Sequence, residues 1–319
     1  MKRELKIALV GCGNWGKNIA RNLHEMGSLA CIYDTNKELS EILNNEYMLP
    51  TYDLNMIFED ININAVVIAS PAMTHKDLAI QSLKCNKDVF IEKPFCLSLT
   101  DAQILAELAT NRNRVMMVGH LLNYHNAFIE MKELIKNGKI GVLQNIRANR
   151  LALGTVRSEE SVIYDLSSHD ISMILSITEE LPIEVNVQSI HHNNNNGPDA
   201  VCIKLSFSKG VTALINSDWM CPYKEHKFSV TGTNGSLIFD DTKNWSEKLL
   251  WNPSFISSKN STVASPTEKI KIQENEPLKT ELIEFLECLY SRKNPLTDQI
   301  EAVKVQTVMD MIDKKSFKK

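Results

Sequence analysis

The 319-residue sequence lacks several features that would assign it to a special class of protein. Its seven cysteines show no CxxC pair and no regular spacing, which argues against a disulfide framework and a cysteine metal site. No apolar run approaches the ~18 residues of a membrane span. The leading apolar run, Leu5 to Val10, is too short for a signal peptide. We therefore expect a cytoplasmic protein with reduced thiols and no membrane partner.

The sequence also lacks a surplus of charge of one sign. The formal net charge is −4, so nothing indicates an extended basic surface for nucleic acid. An anionic ligand would need a local cluster of bases or amides. The 43% hydrophobic and 23% charged residues are typical of globular proteins, and the length suffices for two domains of average size.

The hydrophobic pattern changes near residue 120. Before that point, apolar segments alternate with segments of helical periodicity, which predicts a parallel sheet covered on both faces; the segments are Ile7–Val10, Leu29–Tyr33, Ala65–Ala69, Val89–Ile91 and Val115–Val118. Beyond it, apolar and polar residues alternate along several strands, with a hairpin signal at Thr233-Asn-Gly235 and a long loop expected at 252–268. We expect an α/β protein in which an open, mostly antiparallel sheet follows a parallel one.

A glycine motif joins the first strand to the first helix. Gly11-Cys-Gly-Asn-Trp-Gly16 is a G-x-G-x-x-G, and Asp34 follows at the end of the second strand. Gly11 would allow the tight turn, Gly13 the approach of a pyrophosphate, and Gly16 close packing of helix on strand. Asp34 would accept hydrogen bonds from a ribose diol, which favours NAD over NADP. The motif predicts an NAD site, with Asn14 and Trp15 on the same turn.

A charged segment ends the fourth strand of the first half. Glu92-Lys93-Pro94 directly follows a buried strand, and ligands of open α/β sheets bind at the carboxyl ends of strands. Pro94 restricts the backbone of Lys93 and would aim its side chain; a cis peptide bond is compatible with that role. The alternative is an ordinary surface Glu-Lys pair at the start of a loop.

Two clusters in the second half carry further chemistry. On a helix at 164–177, Asp165, His169, Ser172 and Ser176 form a polar stripe, so an aspartate could orient a basic imidazole one turn away. The alternative is a solvated helix face. Arg147, Arg150 and Arg157 could hold a diphosphate or could be ordinary surface arginines. His191 and His192 are expected to be solvated, and no metal site is predicted.

Taken in order, these motifs resemble the Gfo/Idh/MocA family of NAD(P)-dependent sugar and polyol oxidoreductases. The resemblance implies a Rossmann domain at 1–120 and a substrate-binding domain at 121–319, whose open sheet would form a homodimer or homotetramer interface. It implies that Lys93 and His169 are catalytic, with Asp165 beside His169. It also implies that Ser70, Pro71 and His75 line the nicotinamide end of the cofactor site, beside Lys93. Glu92 would orient the cofactor ribose and Lys93, and His120 would contact the cofactor.

Within that family, the segments 119–125, 149–157 and 168–172 resemble enzymes that oxidise C3 of UDP-N-acetylglucosamine or its uronic acid for surface glycans and lipid A. There a partner aminotransferase uses the 3-keto product. The similarity implies substrate contacts from Arg150, Arg157 and Tyr164. Asn126 departs from the usual proline, and Asp165-x3-His169 is familiar from inositol dehydrogenases. A ketosugar reductase, a polyol dehydrogenase and a non-catalytic NAD-binding regulator are the alternatives.

Overall fold

The computed structural model describes residues 4–154, 160–191, 197–256 and 261–316. These residues form two compact units. The first contains the chain up to Leu121 together with Pro277–Gln306, and the second contains Leu122–Glu276 and the chain from Thr307 onwards. Residues 277–306 therefore pack with the first unit, a return of the chain that the sequence patterns did not indicate.

The first unit is built on a five-stranded parallel sheet in the order β2-β1-β3-β4-β5. Its elements up to the fifth strand are β1 Ile7–Val10, α1 Gly16–Glu25, β2 Leu29–Tyr33, α2 Lys37–Glu46, α3 Leu54–Glu59, β3 Ala65–Ile68, α4 Ala72–Lys84, β4 Asp88–Ile91, α5 Leu99–Asn111 and β5 Met116–Val118. This confirms the predicted parallel sheet. The short helix α3 was not predicted.

The strands of this sheet are apolar because helices cover both faces, and β1, β3, β4 and β5 are buried at every position. The helix after β4 begins with a side-chain cap, since Ser98 Oγ accepts a hydrogen bond from the Asp101 amide at 3.1 Å. The carboxyl ends of the five strands lead to predicted cofactor residues, which are Gly11, Asp34, Ser70, Glu92 and His120.

Two later helices, α8 Pro277–Ser291 and α9 Gln299–Ser316, complete the chain. Phe285 of α8 packs edge-on against Phe90 of β4, with 5.7 Å between ring centroids. Arg292 donates two hydrogen bonds to Asp88 at the start of β4, at 2.6 and 2.9 Å. These contacts attach the returning chain to the parallel sheet.

The second unit is built on an eight-stranded open sheet in the order β15-β12-β11-β10-β6-β9-β8-β7. Its elements are α6 Asn126–Lys136, β6 Leu143–Leu153, a π-helical turn at Ile163–Ser167, α7 Ser168–Thr178, β7 Glu184–Ile190, β8 Ala200–Ser206, β9 Thr212–Asp218, β10 Met220–Gly232, β11 Gly235–Asp240, β12 Leu249–Asn252, β13 Phe255–Ile256, β14 Thr262–Val263 and β15 Glu268–Lys269. Among the described pairs in this sheet only β6 and β9 run parallel. The predicted mostly antiparallel sheet is confirmed, as is the hairpin between β10 and β11.

One face of this sheet carries the apolar core of the second unit. Along β6, Ile146 and Ala148 are buried, whereas Arg147 is exposed. Phe128 of α6 contacts Phe228 of β10 edge-on at 5.7 Å between ring centroids. The predicted loop at 252–268 is wrong in part, because β13 pairs with β14 and β15 extends the sheet beside β12. Within the described ranges, none of the helices has the length and apolarity needed to cross a membrane.

Candidate functional site

The glycine turn after β1 has the geometry of a phosphate-binding turn. Gly11 has φ +95°, and a Cβ there would lie 2.5 Å from the Ser70 amide nitrogen. A Cβ on Gly16 would lie 2.3 Å from the Gly11 carbonyl oxygen, so helix and turn approach closely. A Cβ on Gly13 would meet nothing within 4 Å. The space above Gly13, at the N-terminus of α1, is where a pyrophosphate would bind.

Asp34 is fixed by backbone amides of two segments. Its Oδ2 accepts a hydrogen bond from the Cys12 amide at 2.8 Å, and its Oδ1 accepts one from the Asn36 amide at 2.8 Å. Each carboxylate oxygen can accept a further hydrogen bond, as binding of the two hydroxyl groups of a ribose requires. The residues present therefore fit NAD, with Gly13 at the phosphates and Asp34 at the adenosine ribose. Asn14 lies on the same turn and is exposed.

Glu92 is a buried carboxylate at the end of β4. The Trp15 indole N–H donates to Oε1 at 2.7 Å, and the Lys93 amide donates to Oε2 at 3.2 Å. Gly119 is needed beside it, because a Cβ there would lie 3.0 Å from Oε2. Burial raises the pKa of Glu92, whereas the Trp15 hydrogen bond and the charge of Lys93 act in the opposite direction. Trp15 of the glycine turn thus hydrogen-bonds the Glu92 carboxylate directly.

Lys93 precedes a cis peptide bond to Pro94 and is partly exposed. The turn is tied to the end of β3 by His75, whose Nδ1 lies 2.9 Å from the Pro94 carbonyl oxygen and whose Nε2 lies 2.8 Å from that of Ser70. His75 is 1% exposed, and burial lowers its pKa. His75 therefore connects the loop after β3 with the loop after β4, and Pro71 occupies the position before the first residue of α4. The position of His75 beside the nicotinamide stays a prediction.

His120 lies at the end of β5 and is 2% exposed. Its Nδ1 lies 2.7 Å from Oε2 of Glu301 on α9. The predicted cofactor contact of His120 stays a prediction, while its position places it in the same group of buried polar side chains as Glu92. The coulombic influence of His120 on Glu92 lowers the pKa of that carboxyl.

In the second unit, the predicted catalytic helix begins with a π-helical turn. Asp165 lies in that turn, is buried, and accepts a hydrogen bond from the Trp219 indole N–H at 3.1 Å. Ser172 is also buried and accepts one from Asn123 Nδ2 at 2.7 Å. The reading of this stripe as a solvated face is therefore wrong for Asp165 and Ser172. His169 is partly exposed.

Arg150 forms a buried ion pair with Asp170. Its Nε donates to Oδ2 at 3.1 Å and its Nη2 to Oδ1 at 2.8 Å. Asp170 is 1% exposed and Arg150 is 9% exposed. The surface-arginine alternative is therefore wrong for Arg150. Arg157 lies outside the described residues. The Tyr164 side chain is buried and hydrogen-bonds Asp313.

Four polar residues of this region were not predicted from the sequence. They are Asn123, Asp170, Trp219 and His226, of which the last pairs in register with Arg150. Burial, together with the charges of Arg150 and Lys224, lowers the pKa of His226 to about 4. Only Asp170, directly after His169, had a sequence signal. Among the described residues, no group of three or more His, Cys, Asp or Glu side chains could hold a metal ion.

Two family models match the chain. Residues 5–120 match the oxidoreductase family model described as an NAD-binding Rossmann fold, and residues 128–238 match the GFO/IDH/MocA C-terminal domain. Among similar curated proteins, scyllo-inositol 2-dehydrogenase (NAD(+)) of Bacillus subtilis is 25% identical over 322 residues, covering 95% of this chain and 91% of that protein. UDP-N-acetylglucosamine 3-dehydrogenase of Acidithiobacillus ferrooxidans is 27% identical over 186 residues, which is 57% of each chain.

Solved structures agree on the fold. UDP-N-acetylglucosamine 3-dehydrogenase GnnA from Acidithiobacillus ferrooxidans superposes with a TM-score of 0.85 at 20% identity, covering 98% of this chain and 97% of that one. GenD2 from gentamicin A biosynthesis, in complex with NAD, gives a TM-score of 0.83 at 20% identity, covering 99% and 95%. The glycine turn, Asp34 and both family matches agree, and this chain belongs to the GFO/IDH/MocA family of NAD-dependent sugar and polyol oxidoreductases.

Proposed function

We propose that this protein oxidises a secondary alcohol of a sugar nucleotide, at C3 of UDP-N-acetylglucosamine, to a 3-keto product for surface-glycan or lipid A amino-sugar synthesis. The observation that carries the dehydrogenase assignment is the turn after β4. There Glu92 is buried and accepts hydrogen bonds from Trp15 and from the Lys93 amide, while the Lys93 side chain is partly exposed. A cation held at the carboxyl end of a central strand, next to a dinucleotide turn, suits alcohol oxidation.

Each of the predicted site residues has a separate role in the proposed reaction. Bound NAD would supply the hydride acceptor. His169 takes the hydroxyl proton, as general-base catalysis requires, and Asp165, held by Trp219, supports it. The Lys93 ammonium stabilises the negative charge that develops on the oxygen. Tyr164, Arg157 and the guanidinium hydrogens of Arg150 that Asp170 does not accept contact the substrate.

Two candidate substrates follow from the named relatives. The UDP-N-acetylglucosamine reading draws on segments 119–125, 149–157 and 168–172 and on the relative of that activity. A polyol is the second candidate, because the scyllo-inositol relative aligns over 95% of this chain and Asp165-x3-His169 is familiar from inositol dehydrogenases. On the first reading, an aminotransferase consumes the product. On either reading, the open face of the eight-stranded sheet forms a homodimer or homotetramer.

The test is NADH production with UDP-N-acetylglucosamine, its uronic acid, myo-inositol and scyllo-inositol, each measured with purified protein and NAD. We expect turnover with UDP-N-acetylglucosamine. Turnover confined to the inositols would replace the sugar-nucleotide assignment by the polyol one. NAD binding without turnover of any of the four, in both reaction directions, would favour a non-catalytic regulator.

Two variants test the residue roles. Lys93→Met is expected to lower kcat by a factor of about 10²–10³ while NAD affinity is kept, because one electrostatic group is lost. His169→Gln is expected to lower kcat by about 10²–10⁴. Lys84→Met, an exposed lysine at the end of α4, is the matched control and should behave as wild type. Near-normal turnover of Lys93→Met would refute the assignment of Lys93.

A further inference from the structure

The first unit contains a buried carboxyl group that the proposed reaction does not use. Glu281 of α8 is 0% exposed, and neither of its carboxyl oxygens has a hydrogen-bond partner among the described residues. Such a group loses its hydration on folding and regains nothing from a direct hydrogen bond, which is unfavourable for its ionised form. A buried acid without a direct partner therefore calls for a functional explanation.

The packing of α8 places Glu281 near the end of β4. Phe285 follows one helical turn later on the same face and contacts Phe90. Phe90 and Glu92 are two residues apart, so they lie on the same side of the strand. Electrostatic coupling between Glu281 and Glu92 agrees with this position. Helix α8 thus brings a second buried carboxyl towards the carboxylate of the cofactor site.

Other charged groups surround this pair on each neighbouring element. Glu284 lies on α8 itself, Lys93 follows Glu92, and His120 after β5 is hydrogen-bonded to Glu301 of α9. On α1, which also contacts α8, the exposed Glu25 forms ion pairs with Arg21 on the same helix and with Lys279 of α8. Lys93 and His120 lower the pKa of Glu92, whereas the charged neighbours that act on Glu281 are the carboxylates of Glu92, Glu284 and Glu301.

This asymmetry decides which carboxyl holds a proton. Burial raises the pKa of Glu281 well above its usual range, and repulsion by Glu92, Glu284 and Glu301 raises it further. Glu92 is also buried, but it accepts hydrogen bonds from Trp15 and Lys93. Two interacting buried carboxyls do not both ionise readily, so the neutral form belongs to Glu281 and the charge to Glu92.

We propose that Glu281 is a positioning residue of the cofactor site, whose single proton is released to solvent when the oxidised cofactor binds and is retained when the reduced cofactor binds. The oxidised nicotinamide ring carries one positive charge more than the reduced ring. With the nicotinamide beside Lys93, as the proposed function has it, this extra positive charge would lie at the carboxyl end of β4 and would favour ionisation of the Glu92–Glu281 pair. Only the O–H bond of the Glu281 carboxyl breaks, and its proton goes to solvent. The affinity for NAD+ relative to NADH therefore rises with pH.

The test uses cofactor binding alone and so is independent of which sugar is the substrate. Dissociation constants for NAD+ and NADH are measured by titration calorimetry from about pH 6 to about pH 9, in buffers of different ionisation enthalpy that report proton release. In wild type we expect proton release with NAD+ and a rise of roughly tenfold in the affinity ratio, as one unit of pKa displacement gives. Glu281→Gln should show neither effect.

Glu287→Gln provides the matched control, since Glu287 is an exposed carboxylate on the same helix, and it should behave as wild type. Absence of proton release and a constant affinity ratio in wild type would overturn the proposal, whatever the variants do. Equal proton release by wild type and Glu281→Gln would assign the proton to another group and would also overturn it. Failure of the dehydrogenase assay leaves both readouts intact, so the two proposals fail independently.

Discussion

Replacing Asp170 tests whether Arg150 is held by the protein or is available to the substrate. Asp170 is 1% exposed, and both of its oxygens accept hydrogen bonds from Arg150, at 2.8 and 3.1 Å. Asp170→Asn leaves the guanidinium buried with one neutral acceptor. Removing one partner of a buried ion pair destabilises proteins by about 3–5 kcal/mol. For a unit of this size, that corresponds to a fall in Tm of roughly 6–20 °C.

Chemical denaturation of wild type and Asp170→Asn, followed by tryptophan fluorescence, measures the effect. Trp219 of the second unit donates to Asp165 in the π-helical turn that directly precedes α7, the helix of Asp170, so its emission reports on that region. Glu184→Gln is the control, because it makes the same chemical change at an exposed position of β7. The double variant Arg150→Met/Asp170→Leu removes both charges and should regain much of the lost stability.

A loss below about 1 kcal/mol in Asp170→Asn, the range of exposed pairs, would refute the reasoning. It would mean that Arg150 does not depend on Asp170, and its role as a diphosphate anchor would gain support. A large loss of stability would instead mean that the main role of Arg150 is to stabilise the fold through its ion pair with Asp170. Any substrate contact would then use only the guanidinium hydrogens that Asp170 leaves available.

Two further predictions follow from the same structure. Gly13→Ala should leave the Tm unchanged, because its Cβ meets no protein atom within 4 Å, and should weaken NAD binding, because that space is where the pyrophosphate would bind. Gly16→Ala should lower the Tm, because its Cβ would lie 2.3 Å from the Gly11 carbonyl oxygen. A lower Tm for Gly13→Ala than for Gly16→Ala in thermal unfolding would contradict this geometry. Burial lowers the pKa of His125 to about 4, so the unfolded chain binds a proton that the folded chain does not, and stability falls as the pH drops from about 6.5 towards 4, by up to roughly 3 kcal/mol. His125→Asn, which can still cap α6, should flatten this part of the pH–stability curve, and an unchanged curve would exclude His125 as the cause.

The cofactor side of the protein could be predicted from the sequence because its geometry is local. The glycine turn needs six consecutive residues, and Asp34 and Glu92 follow directly from strands whose apolar runs are obvious. Parallel strands place their carboxyl ends at one edge of the sheet, so chain order alone brings these residues to one edge. No long-range side-chain contact has to be known for this inference.

The central strand of the second sheet was missed for the opposite reason. In β6 the inward positions Ile146, Ala148 and Arg150 alternate with outward ones, but the buried arginine breaks the apolar pattern. Its partner Asp170 lies on another element, and no local rule connects the two. The return of α8 to the first unit was missed likewise, since it depends on contacts such as Arg292 with Asp88, 204 positions apart.

Exposure divides the predicted site residues into two groups with different chemistry. His75, Glu92 and Asp165 are buried and already hydrogen-bonded within their own unit. A side chain in that state can orient a neighbour or fix a charge, but it gains little by contacting a ligand directly. Asp34, Lys93 and His169, in contrast, are partly exposed and remain accessible to a ligand. The proposed division of labour follows: accessible residues hold the ribose, stabilise the alkoxide and take the proton, while the buried ones set their geometry and charge.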